Sequence, residues 1–271
     1  MKVFLTGGTG VIGTRALPAL VAAGHDVTAV ARSEGKAALV ARLGGRSVSV
    51  DLFDAPAVAA AVVGHEAVVN LATSIPPMSK AARPKAWAVN ERIRVEASAH
   101  LVDAALAAGA THVVQESIAY PYVDCGDQWI DEDVECTHVG AFEGAASAEA
   151  AAGRFAGQGG AGVVLRFGAF YVPDSSHLQT FNALARWRVN PFIGDPDGFS
   201  SFIHAADAGD AVAAALGAAS GTYNVVDDTP LTRRAAGAVV ADAVGVRAVH
   251  PLPRVVLATM PAAAKRLNRS Q

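Results

Sequence analysis

The residues with the clearest chemical potential come first in the chain. TGGTGVIGTRALPAL (residues 6–20) carries Gly7, Gly10 and Gly13 at intervals of three, directly after an apolar run and at the opening of a helical one. Gly7 permits a tight turn, Gly10 lets a pyrophosphate approach the backbone, and Gly13 lets helix and strand pack closely. Backbone N–H groups and the positive end of the helix dipole then favour phosphate. Thr9, Val11 and Ile12 complete this loop and are expected to touch the same dinucleotide. Glycines also serve ordinary turns and caps. The place of this triplet between strand and helix is what gives it meaning.

The end of the second apolar run reports on the ribose. An acidic residue there would bond the 2′-hydroxyl of NAD. AVARSEGK (29–36) instead offers Arg32, Ser33 and Lys36. A guanidinium presents fixed donors to phosphate oxygens, so the expected cofactor is NADP (NADPH). The plain alternative is a solvated Arg at a strand end. Asp51, followed by Leu52, is placed to touch the adenine amine, and could equally cap the next helix.

These residues need a scaffold. Short β-rich runs alternate with Ala-rich helical stretches: KVFLT (2–6), DVTAVA (26–31), SVSVD (47–51), AVVNLA (67–72), HVVQES (112–117) and GVVLRF (162–167). A long helix is expected at about 86–108 and another within VGAFEGAASAEAAAGRF (139–155). Alternation of this kind implies an α/β fold, a Rossmann-like doubly wound parallel sheet covered on both faces. A smaller, interleaved C-terminal substrate lobe is expected after it. The expected division is 1–165 for the NADP-binding domain, with 198–220 returning to it. Residues 166–197 and 221–271, which contain YNVV (223–226) and a helix from Leu231, are assigned to the lobe.

The 271 residues suffice for this arrangement, and 52% hydrophobic against 17% charged argues against disorder. Net charge is near −3 with no basic stripe, so nucleic acid is not an expected partner. Apolar runs are too short to span a bilayer, and no signal peptide is expected, which points to the cytoplasm. Cys125 and Cys136 match no metal or CxxC spacing and are expected to be structural. The expected assembly is a monomer or dimer, and no metal is expected.

With these motifs in place, the chain resembles the extended or atypical branch of the short-chain dehydrogenase/reductase superfamily, the NAD-dependent epimerase/dehydratase-like proteins. TGGTGVIG with NLAT (70–73), the helix carrying Asn90, LRFGAFYVPDS (165–175), FIHAADAGDAVAAAL (202–216) and YNVVDD carry the resemblance, with Val172 where the family has Gly. It implies a nicotinamide cofactor lying across the strand ends, beside Leu71, Ala72, Thr73 and Phe167. It implies a Ser after the fifth strand, matched by Ser117, and a Tyr-x-x-x-Lys pair on the next helix. Aligned on Glu149, that pair falls on Ala141 and Ala145.

Loss of the pair removes the usual proton relay. General acid–base catalysis contributes about 10²–10⁴-fold, or roughly 3–5 kcal/mol. Holding two reactants in attack geometry contributes about 7–11 kcal/mol. Reduction can therefore survive without Tyr, whereas sugar-nucleotide epimerisation is disfavoured. Ser117 is the expected remaining catalytic donor. Ser74, Tyr120, Phe142, Phe170, Tyr171 and His204 are expected to meet substrate; Trp129 and Trp187 are further aromatic candidates, and Asn90 is expected to be structural. The resemblance extends to atypical bacterial reductases that lack Tyr and Lys, among them actinomycete ketoreductases of angucyclinone-type, simocyclinone-like aromatic polyketides. The expected activity is NADPH-dependent reduction of a small-molecule ketone of that bulky class. The alternative is a non-catalytic NADP-binding regulator or scaffold.

Overall fold

The structure, a computed structural model, describes residues 1–81, 83–138, 142–173 and 175–252. The first half reads β1 (Lys2–Thr6), α1 (Gly13–Ala22), β2 (Asp26–Val30), α2 (Glu34–Arg42), β3 (Arg46–Val48), α3 (Ala55–Val62) and β4 (Ala67–Asn70). A short α4 (Met78–Ala81) and a 3-10 turn lead into α5 (Ala88–Arg92), a π-helical turn (Ile93–Ala97) and α6 (Ser98–Ala107). Next come β5 (His112–Ile118), α7 (Glu143–Ala156) and β6 (Ala161–Phe167). The remainder is β7 (Ala169–Tyr171), α8 (Ser176–Arg186), β8 (Phe199–Ser200), β9 (Phe202–His204), α9 (Ala205–Ala215), β10 (Gly221–Val225), β11 (Leu231–Thr232) and α10 (Arg233–Ala243).

Among the described residues seven strands form one sheet in the order β10-β6-β5-β4-β1-β2-β3, every neighbouring pair parallel. Side chains alternate across it, as strand geometry requires. Val3 and Leu5 join an apolar cluster with Leu17 and Leu20 of α1 and Val212 of α9. Phe4, between them, faces Val58 of α3, Leu101 of α6 and Phe155 of α7. Both faces are thus dry, which is why the central strands read as continuous apolar runs.

Several expectations are corrected. The third strand ends at Val48 rather than Asp51, because Asp51 Oδ1 accepts from the N–H of Phe53 and turns the chain. The long helix is divided by its π-helical turn. The strand Gly221–Val225, assigned above to the lobe, is the edge strand of the main sheet, in register with Val163–Phe167. α9 supplies the crossover that makes this possible, since a parallel neighbour needs a helix between. The helix expected from Leu231 begins at Arg233, where Thr232 Oγ1 accepts from the N–H of Ala235.

Two small sheets, β7 with β9 and β8 with β11, lie beyond the carboxyl ends of the main strands, with α8 packed on α10. Cys125 and Cys136 are free, half-buried thiols. Among the described residues no helix is long and apolar enough to cross a membrane.

Candidate functional site

β1 delivers the chain to Gly7, whose φ of +70° is costly for any side chain. A Cβ there would overlap the carbonyl of Leu71 at the end of β4, and one on Gly13 would collide with the backbone of Gly7 and Gly8. Gly10 is different. It is exposed, and a Cβ on it would meet only the Gly7 carbonyl, at 3.3 Å. The space above Gly10 is therefore open, bordered by Thr9 and the exposed Val11. α1 begins there with no side chain capping its N-terminus. This is the cradle a pyrophosphate requires. Ile12 is 8% exposed and anchors the loop in the core.

At the adenosine end, Arg32 and Lys36 are exposed and flank the start of α2. Ser33 is the N-cap of that helix, its Oγ accepting from the N–H of Lys36 at 3.4 Å. Two cations at a helix N-terminus suit a ribose phosphate. Asp51 is exposed and engages the Phe53 N–H through Oδ1, while the cap of α3 is Asp54. Half-buried Leu52 gives its carbonyl to the ring of His100 at 3.0 Å.

After β4, Leu71 is buried, Ala72 half-buried, and Thr73 and Ser74 exposed. The N–H of Ser74 donates to Oδ1 of the buried Asn90, 2.9 Å away, which fixes this loop over the cleft. Asn90 thus bonds the backbone of the loop after β4. Phe167 is wholly buried in the core cluster, with Phe170 at 5.4 Å between ring centroids. Its side chain packs the core and does not line the cleft.

Ser117 is not presented to the cleft as expected for a free donor. It is buried, and its Oγ donates to Glu149 Oε1 of α7 across 2.6 Å. Glu149 is also held by Arg166 of β6, through Nε at 3.0 Å and Nη2 at 2.7 Å. Desolvation opposes charge on Glu149, but the hydrogen bonds from Arg166 and Ser117 outweigh it and hold the carboxyl below its ordinary range. The same bonds hold Arg166 charged. Arg166 Nη1 donates to the hydroxyl of Tyr122 at 2.8 Å, which donates onward to Asn224 Oδ1 of β10 at 2.7 Å. A second buried pair, Arg94 and Glu116, joins the π-helical turn to β5 with both carboxylate oxygens 2.9 Å from Nη2. Glu149 and the LRF segment were visible as landmarks. Their partnership, and that of Tyr122 with Asn224, had no local signal.

Ala145 is fully buried, and Ala141 lies outside the described residues. Phe142 opens α7 and stacks with Tyr120, centroids 6.1 Å apart and rings 8° from parallel. Desolvation pushes the Tyr120 phenol up to about 12. Tyr171 is partly exposed beside His204, centroids 5.3 Å apart. His204 caps α9, its Nδ1 accepting from the N–H of Ala206 at 3.3 Å, so a structural duty occupies this expected substrate residue. Phe181, Phe192 and Phe202 form an aromatic chain with centroid spacings of 5.2 and 5.3 Å. Trp129 and Trp187 stand out in solvent at 78% and 84% exposure.

The comparisons with known proteins agree with this geometry. The sequence profile of a family described as NAD(P)H-binding matches residues 7–133. A 3-diazoavenalumate denitrifying reductase from a Streptomyces species is 35% identical over 239 residues, covering 85% of this chain and 77% of the relative. The human epimerase family protein SDR39U1 (isoform 2), solved with NADPH, superposes with a TM-score of 0.79 at 26% identity, covering 100% of this chain and 90% of the other. The UDP-glucose-4-epimerase of Stenotrophomonas maltophila, solved with NAD, has a TM-score of 0.76 at 21% identity, covering 93% and 86%, and shows the shared fold. The chain belongs to the NAD(P)-binding, epimerase-like branch of the short-chain dehydrogenases/reductases, and one relative, at 35% identity, is named as a reductase.

Proposed function

We propose that this chain is an NADPH-dependent reductase that acts on a ketone of a bulky aromatic substrate without a Tyr–Lys pair. The observation that carries the reading is the pairing of a complete phosphate cradle, from Gly7 to Gly13, with a helix α7 that has buried Ala145 at the Lys position. A bound nicotinamide would supply the hydride. The chain's part is to hold that cofactor at the strand ends and to hold the ketone against it. Orientation of two reactants contributes about 7–11 kcal/mol, more than the roughly 3–5 kcal/mol of an acid. The exposed cations Arg32 and Lys36 favour NADP over NAD. The aromatic chain Phe181–Phe192–Phe202, running from α8 to β9, favours an aryl substrate.

The Streptomyces relative supports a second acceptor. Its name describes reduction of a diazo compound with loss of nitrogen. Replacement of N₂ on a diazonium carbon by hydride forms a C–H bond, releases N₂ and consumes no proton. Such a reaction has no use for the absent phenol. The two acceptors separate in one experiment. The protein is mixed with NADPH and, in parallel, a panel of aryl ketones and quinones and an aryl diazonium salt. Loss of the reduced nicotinamide absorbance with alcohol as product supports the ketone. Loss with evolution of N₂ supports the diazo reading. Tight NADPH binding with no oxidation by any acceptor supports a regulator.

A further inference from the structure

We propose that Arg92 and His100, brought onto one line of the long helix by its π-helical turn, hold the turn at residues 51–53 so that Asp51 reads the exocyclic amine of the cofactor's adenine. The inference rests on the cofactor reading above. Three adjacent strands end on one side of the cleft: β1 at the glycine loop, β2 before Arg32 and β3 before Asp51. A dinucleotide lies across such strand ends. Asp51 is exposed, and its Oδ1 accepts from the N–H of Phe53 at 3.0 Å. Its Oδ2 makes no hydrogen bond among the described residues.

The two residues after Asp51 are each gripped by the long helix. The ring of Phe53 lies under the guanidinium of Arg92, 3.8 Å from its centroid. Arg92 is fixed in turn by Glu96, with Nε and Nη2 each 2.8 Å from a carboxylate oxygen. The charge of Asp51 also reaches this guanidinium. The Leu52 carbonyl meets Nδ1 of His100 at 3.0 Å. A carbonyl only accepts, so Nδ1 carries the proton.

The π-helical turn explains how one helix reaches one short turn twice. In an uninterrupted α-helix, eight steps of about 100° would leave Arg92 and His100 about 80° apart. The extra residue of a π-turn takes back about 100°, which brings the two within about 20° of one line. Ile93–Ala97 is that turn. Ser98 closes it, its Oγ donating to the Ile93 carbonyl at 3.4 Å. Ser98 also accepts from Nδ2 of Asn70, whose Oδ1 accepts from the N–H of Ala72. With Asn90 bonding Ser74, the long helix ties together the loops after β3 and β4, which stand on either side of β1 and β2.

The test is calorimetric titration with NADPH and with its hypoxanthine analogue, which carries an oxo group where adenine carries the amine. The wild type should prefer NADPH by at least about tenfold, the value of a hydrogen bond to a charged group. Arg92→Gln should shrink that preference about two- to fivefold, the value of an exposed cation–π contact, and Arg92→Lys should keep most of it. His100→Leu should shrink it about two- to tenfold, and His100→Asn, which keeps a donor near the place of Nδ1, should restore it. The preference between NADPH and NADH, assigned to Arg32, should stay as in the wild type throughout. A merely structural loss would weaken both base analogues alike and leave their ratio unchanged. An unchanged ratio in one of Arg92→Gln and His100→Leu removes that residue from the assignment, and in both overturns the proposal. A wild type that binds the two analogues equally also overturns it. A wild type that binds neither overturns the cofactor reading with it.

Discussion

Ser117 and Glu149 are joined by a 2.6 Å hydrogen bond in which the fully buried serine donates. Glu149 stands one helical turn beyond Ala145. Ser117 of β5 is therefore tied to α7, whose residues Glu143–Ala156 include neither Tyr nor Lys. Ser117 holds β5 to α7. Ser117→Ala is expected to cost about 1 kcal/mol of stability, the value of one hydrogen bond, seen as a melting shift of roughly 2–4 °C. Single-turnover hydride transfer should slow by less than the 10²–10³-fold expected of a lost transition-state donor. Complete loss of turnover with intact NADPH binding would show Ser117 to be indispensable to the chemistry.

The acid side of the stability profile follows from Glu149. Its carboxyl titrates below the ordinary value of 4.5, so the folded state favours the charged form. The resulting stability is fully present above that value and is lost as pH falls through the lower folded value. Glu149→Gln should lower the melting temperature at neutral pH and reduce its fall between neutral and strongly acidic solution. Melting curves across that range decide it; parallel profiles for wild type and variant contradict the assignment.

The buried pair of Arg94 with Glu116 makes a sharper stability prediction. Removing one partner strands the other charge, at a cost of about 3–5 kcal/mol. Arg94→Met should destabilise by that amount in urea unfolding, while Arg94→Met with Glu116→Leu should recover part of the loss. Two single variants whose effects simply add would show that the ions are not coupled.

Cofactor choice is assigned to Arg32. Arg32→Ala should weaken NADPH binding far more than NADH binding, as read by calorimetric titration. An equal loss for both, or a wild type that prefers NADH, contradicts the assignment.

The sequence made the cradle and the parallel core legible because both are local. A glycine triplet after an apolar strand states its own geometry, and runs such as HVVQES carry the burial of a central strand. The direction of Ser117 was not local. It depends on which face of β5 meets α7, and that is settled only when Arg166 on β6 comes alongside. Tyr122 and Asn224 are 102 residues apart and meet only because β10 completes the sheet edge. The capping duty of His204 was hidden for a related reason: a histidine at a strand end is the same letter whether it faces a ligand or a helix N-terminus.

The integrity of the cradle tests whether this site holds a dinucleotide at all. Gly10→Val should keep a native far-UV spectrum, since a Cβ there meets only the Gly7 carbonyl at 3.3 Å, yet NADPH binding should be abolished because the side chain fills the phosphate space. Retained micromolar binding would reduce the loop to an ordinary turn.

The most direct measurement of the central claim is single-turnover oxidation of NADPH by the wild-type protein, followed with phenanthrenequinone and with deuterated NADPH. The account predicts loss of the reduced nicotinamide absorbance, one reduced carbonyl per NADPH, and a primary isotope effect on that step, all without a Tyr–Lys pair on α7. NADPH bound tightly but left unoxidised by the quinone, by every aryl ketone and by an aryl diazonium salt would contradict it and make the chain a binding protein.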